Sequence, residues 1–437
     1  MLRLSLMEYR LLSLAGLFAF VAVAWAFSID RKAVRWRPVI WGVLLQLVFA
    51  AIVLLPDIGK DVFRAVDAGV HELVSFSEAG SDFVFQSIQK HRVEVFDASG
   101  GIVPTVIQGT VSPALKTLAF WVLPTVMFFS AIMTVLYHYG VMQWIVRAFG
   151  WVMQRSLGTS GAESMSAAAN IFVGQTEAPL VVKPYVQKMT MSELHAVMVG
   201  GFATVAGGVM AIYVAVVPLA GIAGHLVTAS ILSAPAALAV AKLLYPETEV
   251  PETRGGAVLP HEKVDVNGID ALSRGTLDGL KLYLNILAML LVFVAVIAML
   301  NALLGAIGGL FDVNLSIEVI LGYAFAPFAW LMGIPWDEAV TSGMLLGKKI
   351  ALTELIAYLD LGQIQASAHP LTERTATIMS YALCGFANFA SVGIQIGGIS
   401  GIAPERRGDL ARLGLRAMWG GTLAAMMTGA VAGLFLG

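Results

Sequence analysis

The chain has 437 residues, of which 58% are hydrophobic and only 13% are charged, and its formal net charge is −2. A soluble domain normally has about a quarter of charged residues, so this composition indicates a polytopic membrane protein. The near-neutral charge does not indicate a nucleic-acid partner. The single cysteine, Cys384, excludes an internal disulfide and a thiolate metal cluster.

Apolar runs of about 20 residues predict eight transmembrane helices, and therefore an all-α membrane protein. The first run is followed by four basic residues between positions 31 and 37, which argue against a cleaved signal peptide. These residues and a second cluster around Arg406 to Arg416 are expected on the cytoplasmic side, which places both termini on the other side. The predicted spans are 9–28, 37–56, 114–138, 194–219, 221–245, 280–310, 374–402 and 410–436.

Three segments outside these spans have distinct patterns. Segment 57–97 carries eight acidic and four basic residues among spaced apolar ones, which predicts an amphipathic helix outside the membrane core. Segment 142–157 alternates Trp and Phe with Arg, which is typical of an interfacial helix lying in the headgroup plane. Segment 246–270 is rich in Pro, Glu and Gly and predicts a linker between two halves.

The two halves repeat each other inside apolar sequence. Gly-Phe-Ala-Thr-Val-Ala at 201–206 returns as Gly-Phe-Ala-Asn-Phe-Ala at 385–390, and each copy follows a Thr-Glu pair, 176–177 and 353–354. The Thr-Glu pairs lie in moderately apolar segments interrupted by polar residues, 159–188 and 336–361, which predict two re-entrant helical hairpins. Broken helices and hairpins in an internal inverted repeat are typical of secondary transporters.

Glu177 and Glu354 are the first candidate site residues, because a carboxylate at membrane depth costs about 2.5–3.5 kcal/mol on insertion scales. The alternatives are contact with a ligand or ion, a salt bridge to Lys183, Lys348 or Lys349, and a helix N-cap.

The tip of the first hairpin, 170–177, concentrates amide, hydroxyl and carboxylate groups beside a glycine. Gln175 with Thr176 and Glu177 could pair with the edge of a heterocycle or cap a turn. In the second half, Asn388 and Ser391 are three residues apart and are expected on one helix face. Together with Glu354 they would suit vicinal hydroxyls, as in a sugar.

The glycines at 207–208 and at 393, 397 and 398 allow two interpretations. They could break their helices and free carbonyl oxygens for an alkali cation. They could equally permit close helix packing. The chain has no HExxH zinc site, GxSxG elbow, Walker A loop or Arg-rich voltage sensor.

Four motifs together carry a family resemblance: 174–180 (Gly-Gln-Thr-Glu-Ala-Pro-Leu), 201–209, 327–333 (Pro-Phe-Ala-Trp-Leu-Met-Gly) and 385–398. The chain resembles the bacterial concentrative nucleoside transporters over about residues 1 to 435. The resemblance implies a homotrimer in the bacterial inner membrane that imports nucleosides by an elevator-type movement. It divides the chain into scaffold helices (1–140), a first transport repeat (141–245), a loop, long scaffold helix and connector (246–335), and a second transport repeat (336–437).

The same resemblance implies the roles of individual residues. It assigns the nucleobase to residues of the first hairpin and of the helix that follows it, which we call the first half-site. It assigns the ribose to the corresponding residues of the second repeat, the second half-site, with Phe386 close to the ribose. It places sodium, the coupling ion, between the first hairpin and the broken helix, and implies no other cofactor. The base-facing residues are Gly174, Gln175, Thr176, Glu177 and Val209; the ribose-facing residues are Glu354, Phe386, Asn388 and Ser391; the sodium-site residues are Asn170, Val173, Thr204, Val205 and Gly208.

The sequence departs from the family pattern in two places. Sodium-coupled members often have Ser or Thr where Gly208 stands, and the family usually shows Asn-Glu-Phe where this chain has Thr353-Glu354-Leu355. Gly174 with Gln175 resembles members that accept pyrimidine nucleosides, sometimes with adenosine.

The function expected from these patterns is sodium-coupled nucleoside symport. Three alternatives stay open at this point. Proton coupling would use a buried carboxylate as the titrating group. An intramembrane enzyme acting on a lipid or nucleoside would need a nucleophile or metal partner, which the sequence does not offer, so we expect no enzyme. A channel is disfavoured because duplicated broken helices are typical of alternating access.

Overall fold

The computed structural model describes residues 5–55, 59–85, 93–96, 102–105, 117–257 and 265–436. The first half comprises α1 (Leu6–Ala26), α2 (Trp36–Leu54), α3 (Gly59–Phe85), β1 (Val93–Phe96), β2 (Ile102–Thr105), a π-helical turn (Leu118–Val122), α4 (Thr125–His138), α5 (Val141–Leu157), α6 (Gly161–Asn170), α7 (Ala178–Val181), α8 (Lys183–Val186), α9 (Met191–Ala203), α10 (Gly207–Val216) and α11 (Ile222–Leu244). The second half comprises α12 (Gly268–Gly309), α13 (Ile317–Leu331), α14 (Trp336–Ala351), α15 (Glu354–Gln365), α16 (Glu373–Leu383), α17 (Phe389–Ile402), a 3-10 turn (Pro404–Arg406) and α18 (Arg407–Phe435).

Within the described ranges, seven helices are long and apolar enough to cross a membrane, and they correspond to seven of the eight predicted spans. The eighth, over 374–402, is present as two helices, α16 and the shorter apolar α17, separated by residues 384–388, in agreement with the expectation of a broken helix in the second repeat. A further candidate is the pair α13 and α14, which bends by 118°. The sequence alone indicates only a connector where α13 lies.

The predicted re-entrant hairpins are both present. In the first, α6 leads into an irregular tip and returns through the short helices α7 and α8; in the second, α14 and α15 are separated only by Leu352 and Thr353. The helix that follows each hairpin is interrupted, between Ala203 and Gly207 and between Leu383 and Phe389. Hairpins and interrupted helices therefore alternate in both halves, as expected for the internal repeat.

Three predicted segments need correction or confirmation. The amphipathic helix predicted within 57–97 is confirmed over Gly59–Phe85; residues 57–58, 86–92 and 97 lie outside the described residues, and Val93–Phe96 is the strand β1, which pairs antiparallel with β2. The interfacial segment 142–157 is helical as α5, with Trp144 and Trp151 exposed and Met153 buried. The linker ends earlier than residue 270, since Asn267 caps α12 through the backbone amides of Ile269 and Asp270.

The core lies around α9, α10, α11 and α18. The apolar windows of the spans Met191–Val216, Ile222–Leu244 and Pro404–Phe435 are 83%, 89% and 83% buried, whereas that of α12 is 0% buried within the chain. The interrupted helix α9–α10 is therefore enclosed by protein, where irregular backbone at membrane depth is tolerated. The apolar surface of α12 is left for lipid or for another subunit.

Candidate functional site

The second half-site is built around a buried carboxylate. Glu354 is 4% exposed and is the first residue of α15, whose N-cap, Thr353, accepts a hydrogen bond from the amide of Ile356. The Tyr213 hydroxyl donates to Glu354 Oε1 over 2.9 Å, and the Asn388 side-chain amide donates to Oε2 over 3.0 Å. The two donors fix the positions of both carboxyl oxygens, which retain lone pairs for a ligand.

Asn388 and Ser391 lie together, although not as two residues on one helix face. The helix α17 begins at Phe389, and Asn388 is its N-cap, with Oδ1 accepting from the backbone amide of Ser391 over 2.8 Å. The expectation of a shared helical face was therefore wrong. The capping bond brings the two side chains together and directs the Asn388 NH₂ group to Glu354.

The first half-site meets the second through Gln175. Its side-chain NH₂ group donates to Ser391 Oγ over 3.1 Å, and its Oε1 accepts from Gln395 Nε2 over 3.0 Å. A continuous chain of side-chain and capping hydrogen bonds thus runs from Gln395 through Gln175, Ser391 and Asn388 to Glu354. The two hairpin tips, far apart in sequence, form one polar site.

The other residues expected at the base differ in burial. Val209 on α10 is buried, and Thr176 is half-buried against Gly398. An added Cβ at Gly174 would lie 2.3 Å from a carboxylate oxygen at the end of the Glu177 side chain, which would have to move. Glu177 itself is exposed, whereas Glu354 is buried, so the two carboxylates of the repeated Thr-Glu pairs lie in different environments.

The lysines considered as partners of these carboxylates have other contacts. Lys348 pairs with Asp360 and, at 3.9 Å, with Glu318, and Lys183 is exposed. Lys349 is 1% exposed and donates to the carbonyl of Ala382 over 2.9 Å. A salt bridge to Lys348 or Lys349 is therefore not the reason for the position of Glu354, and contact with a ligand is the favoured alternative.

The residues expected to hold sodium lie around the interruption between α9 and α10. Asn170 is fully buried at the end of α6; its NH₂ group donates to the Ser166 carbonyl, while its Oδ1 has no hydrogen-bond partner among the described residues. Thr204 is the C-cap of α9, Val205 follows it in the irregular segment, and the Thr204 hydroxyl donates to the Gly200 carbonyl over 3.0 Å. An orphaned amide oxygen beside irregular backbone fits a hard alkali cation.

Two details of this region differ from expectation. Helix α10 begins at Gly207 and includes Gly208, so neither glycine lies in the interruption itself. A Cβ added at Gly208 would lie 3.5 Å from the Cβ of Phe129. The glycines at 393, 397 and 398 likewise lie inside α17.

Val173, the remaining residue expected at the sodium site, is buried at the tip of the first hairpin. Among the residues that the structure describes, no cluster of three His, Cys, Asp or Glu side chains could hold a metal.

Two site residues were missed by the sequence interpretation. Tyr213, on α10 one turn after Val209, donates to Glu354 and stacks on Tyr358 with ring centroids 4.1 Å apart. Gln395, one turn after Ser391 on α17, holds Gln175. Each lies four residues after a residue already assigned to the site, and this helical spacing was the available signal. Phe386 lies in the second interruption and is half-buried.

Three protein-family models match the chain. Models described as the N-terminus and the C-terminus of the Na⁺ dependent nucleoside transporter match residues 15–88 and 225–433. A third, described as nucleoside recognition, matches residues 119–220. The range 15–88 contains α2 and the second half of α1, and the range 119–220 contains α4 and the first hairpin. The range 225–433 contains the second hairpin.

Individual proteins are similar over the same length. An uncharacterized transporter of Haemophilus influenzae is 42% identical over 430 residues, 97% of each chain. Solute carrier family 28 member 3 of Eptatretus stoutii is 40% identical over 96% of this chain, which spans only 59% of that protein. The structure of CNTnw in an inward-facing substrate-bound state superposes with a TM-score of 0.85 at 40% identity, covering 99% of this chain and 98% of that one. Outward-facing and intermediate states of CNTnw are also similar.

The family models cover most of the chain in consecutive order, and the Haemophilus influenzae relative is matched over nearly its whole length. The similarity to the CNTnw structure likewise extends over 99% of this chain. The chain therefore belongs to the family of Na⁺-dependent, concentrative nucleoside transporters, which are transporters and not enzymes.

Proposed function

We propose that the protein imports nucleosides of the uridine and cytidine type, and also adenosine, together with sodium. The observation that carries this proposal is the hydrogen-bond chain joining Gln175 to Glu354. It brings an amide-rich hairpin tip and a buried carboxylate into one site. A nucleoside has the matching division, with a planar base that both donates and accepts, joined to a ribose with vicinal hydroxyls.

The ribose is assigned to the second half-site. Glu354 accepts hydrogen bonds from two fixed donors, which hold its two oxygens in place for the ribose hydroxyls. Asn388 has a second N–H for the same sugar, and the Ser391 hydroxyl, which accepts from Gln175, has its proton free to donate. Phe386 is assigned to the face of the sugar because it lies in the same interruption.

The base is assigned to the first half-site. Gln175 and Thr176 contribute polar groups, Val209 a buried apolar surface, and Gly174 the close approach of backbone. Glu177 is exposed, and we propose that it faces the base at the edge of the site. The absence of Cβ at Gly174 leaves room for the Glu177 carboxylate, which a larger residue would displace.

Sodium is assigned to Asn170, Val173, Thr204, Val205 and Gly208. The unpartnered Asn170 oxygen supplies one ligand, and backbone carbonyls of the hairpin tip and of the interruption supply others. Gly208 lacks a hydroxyl and would contribute only backbone. Co-transport of one cation concentrates a neutral nucleoside by roughly fortyfold per 100 mV, since one charge is worth about 2.3 kcal/mol and a tenfold ratio about 1.4 kcal/mol.

We further propose an elevator-type cycle in a homotrimer. The buried body around α9, α11 and α18 would move with both hairpins, and α12, whose apolar window is 0% buried, would belong to a trimeric scaffold with the other helices of segments 1–140 and 246–335. Supporting this, CNTnw has been solved in inward-facing, outward-facing and intermediate states.

The orientation proposal rests on the basic residues at one end of the bundle. Arg37 donates to the Arg155 and Ser156 carbonyls at the end of α5, and Arg416 donates to the carbonyl of Phe27. We assign this end to the cytoplasm of a bacterial inner membrane. At the opposite end, Arg374 donates to the carbonyl of Leu436, so both termini are assigned to the non-cytoplasmic side.

Uptake of labelled uridine into proteoliposomes tests the proposal. We expect concentrative uptake under an inward sodium gradient and none under an equal potassium gradient at fixed pH. Uptake that ignores sodium and follows an imposed pH gradient would favour proton coupling instead. No concentrative uptake of uridine, cytidine or adenosine under any of these gradients would contradict the proposed substrate class.

A further inference from the structure

The side-chain NH₂ group of Gln395 donates hydrogen bonds to two acceptors, one on the site residue Gln175 and one on the backbone of α9. Gln395 is fully buried in α17, and its Nε2 donates to Gln175 Oε1 over 3.0 Å and to the backbone carbonyl of Met198 over 3.1 Å. Its Oε1 has no hydrogen-bond partner among the described residues. Gln395 is therefore held by its NH₂ group alone.

These contacts fix the orientation of two amides. A backbone carbonyl only accepts, so the NH₂ group of Gln395 must face Met198. The second N–H of that group then faces Gln175, which must present its oxygen to Gln395. The NH₂ group of Gln175 consequently faces Ser391, and its remaining N–H is available to a ligand. Gln175 thus presents a hydrogen-bond donor to the site.

The packing around this pair leaves little freedom. A Cβ at Gly201 would lie 2.7 Å from Gln395 Nε2 and 2.9 Å from Gln175 Cβ, so both side chains lie directly against the backbone of α9. Met198, on the same helix, supplies the carbonyl that orients Gln395. Helix α9 thus supports the pair from below, and the repeated Gly-Phe-Ala motif supplies the glycine that this contact requires.

We infer that Gln395 is a positioning residue that holds Gln175 as a donor toward the base and thereby sets the preference between uridine and cytidine. This inference rests on the proposed function. The two bases have reversed edges: uracil has a donor at N3 and an acceptor at O4, whereas cytosine has an acceptor at N3 and a donor at its exocyclic amine. Because O2 is an acceptor in both bases, we place Gln175 at position 4. There a fixed donor pairs with O4 of uracil but faces the amine donor of cytosine, and a reversed amide would discriminate in the opposite sense.

The variant Gln395→Glu is designed to reverse the amide. The atom that replaces Nε2 has at most one proton, which cannot serve both acceptors. The Met198 carbonyl can only accept, whereas the Gln175 amide can turn and donate. Both contacts are therefore satisfied only when the proton is donated to Met198 and Gln175 turns its NH₂ group toward residue 395. If the carboxyl group is ionised, the same turn is required. Gln175 then presents its oxygen to the base.

Gln46 provides a matched control at another place in the core. It is also fully buried, its Nε2 donates to the carbonyl of Leu232 over 3.2 Å and to Thr428 Oγ1 over 3.3 Å, and its Oε1 has no partner among the described residues. Gln46→Met and Gln395→Met therefore remove equivalent contacts. Only the second removes a contact to the site.

The measurement is the ratio of kcat/KM for uridine and cytidine in proteoliposomes, with the ratio of Kd values from purified protein as a second readout. We expect Gln395→Glu to shift the ratio about tenfold or more against the nucleoside that the wild type prefers, since an unpaired buried polar group costs about 1–3 kcal/mol. Gln395→Met should bring the ratio closer to one. Gln46→Met should reduce thermal stability without changing the ratio.

Three results would overturn the inference. The first is an unchanged ratio in both Gln395 variants, the second is an equal shift in Gln46→Met, and the third is loss of binding of both nucleosides in both Gln395 variants. The third result would overturn the inference because Gln175 with a reversed amide can still form a hydrogen bond with one of the two bases. If the wild-type protein bound neither nucleoside, the proposed function itself would fail, whatever the variants did.

Discussion

The two halves of the site use the same local sequence in different ways. In the second half, Glu354 is buried and Asn388 caps a helix, and both are held by side-chain hydrogen bonds. In the first half, Glu177 is exposed, and Asn170 has an oxygen without a hydrogen-bond partner among the described residues. One repeat thus presents a fully organised polar site, and the other presents an unfilled amide oxygen beside irregular backbone.

The difference fits the proposed assignment of the ribose to the second repeat and of sodium to the first. A pre-organised carboxylate loses little on binding a neutral sugar, because its geometry is already fixed. A buried oxygen without a donor is costly unless something positive fills the place, which suits an exchangeable cation. Thr204 and Asn388 occupy the same position of the repeated motif but have different contacts. Single substitutions in each repeat can therefore test whether the two repeats bind different ligands.

Glu354→Gln should have the largest effect. We expect uridine uptake to fall more than about 100-fold, because two hydrogen bonds from the ribose to a charged group, at about 1.5–3 kcal/mol each, are lost or weakened. Asp360→Asn is the control, since Asp360 lies on the same hairpin helix but pairs with Lys348. Uptake by a folded Glu354→Gln protein that stays near the level of the control would contradict the ribose assignment.

Asn170→Ala should weaken the binding of sodium more than the binding of the nucleoside. Removing the unpartnered oxygen is expected to raise the sodium concentration for half-maximal uptake about tenfold or more, with a smaller change in uridine affinity at saturating sodium. Ser166→Ala is the control, because it removes an equally buried hydroxyl one turn earlier on α6 that also has no partner among the described residues. Equal sodium dependence in the two variants would remove Asn170 from the cation site.

Tyr213→Phe tests how far the second half-site depends on pre-organisation. The variant keeps the ring that stacks on Tyr358 but removes the donor to Glu354 Oε1. We expect the KM for uridine to rise about tenfold, since a hydrogen bond to a charged group is worth about 1.5–3 kcal/mol, part of which water can replace. The dependence on sodium should stay as in the wild type. A changed sodium dependence with an unchanged KM would reverse the division between the repeats.

The sequence predicted most of the membrane architecture, because spans and hairpins depend on apolar length and local interruptions. Both hairpins and seven of the eight spans are at the expected positions. Composition was less informative about exact bounds. The broken helix over 374–402 consists of α16 and α17, and the amphipathic segment 57–97 is helical over Gly59–Phe85 but also includes the strand β1.

Single sequence motifs predicted the candidate site residues. They contain no information about contacts between the two repeats. Gln395 and Tyr213 act on residues far away in the sequence, Gln175 and Glu354, and no local pattern specifies such partners. The exposure of Glu177 is likewise a tertiary property. The packing around each hairpin tip decides the burial of its carboxylate, and the repeated Thr-Glu pairs do not specify that packing.

Glu177→Gln should have the smallest effect among these carboxylate and amide changes. Because Glu177 is exposed, water can replace much of what its charge contributes, and the amide retains an acceptor for the base. We expect uridine uptake to fall by less than about tenfold. Steady-state uptake by Glu177→Gln and Glu354→Gln, compared in the same membranes, measures the asymmetry directly. Equal and complete loss in both would mean that Glu177 becomes buried during the transport cycle, because only a desolvated carboxylate is worth as much as the one at Glu354.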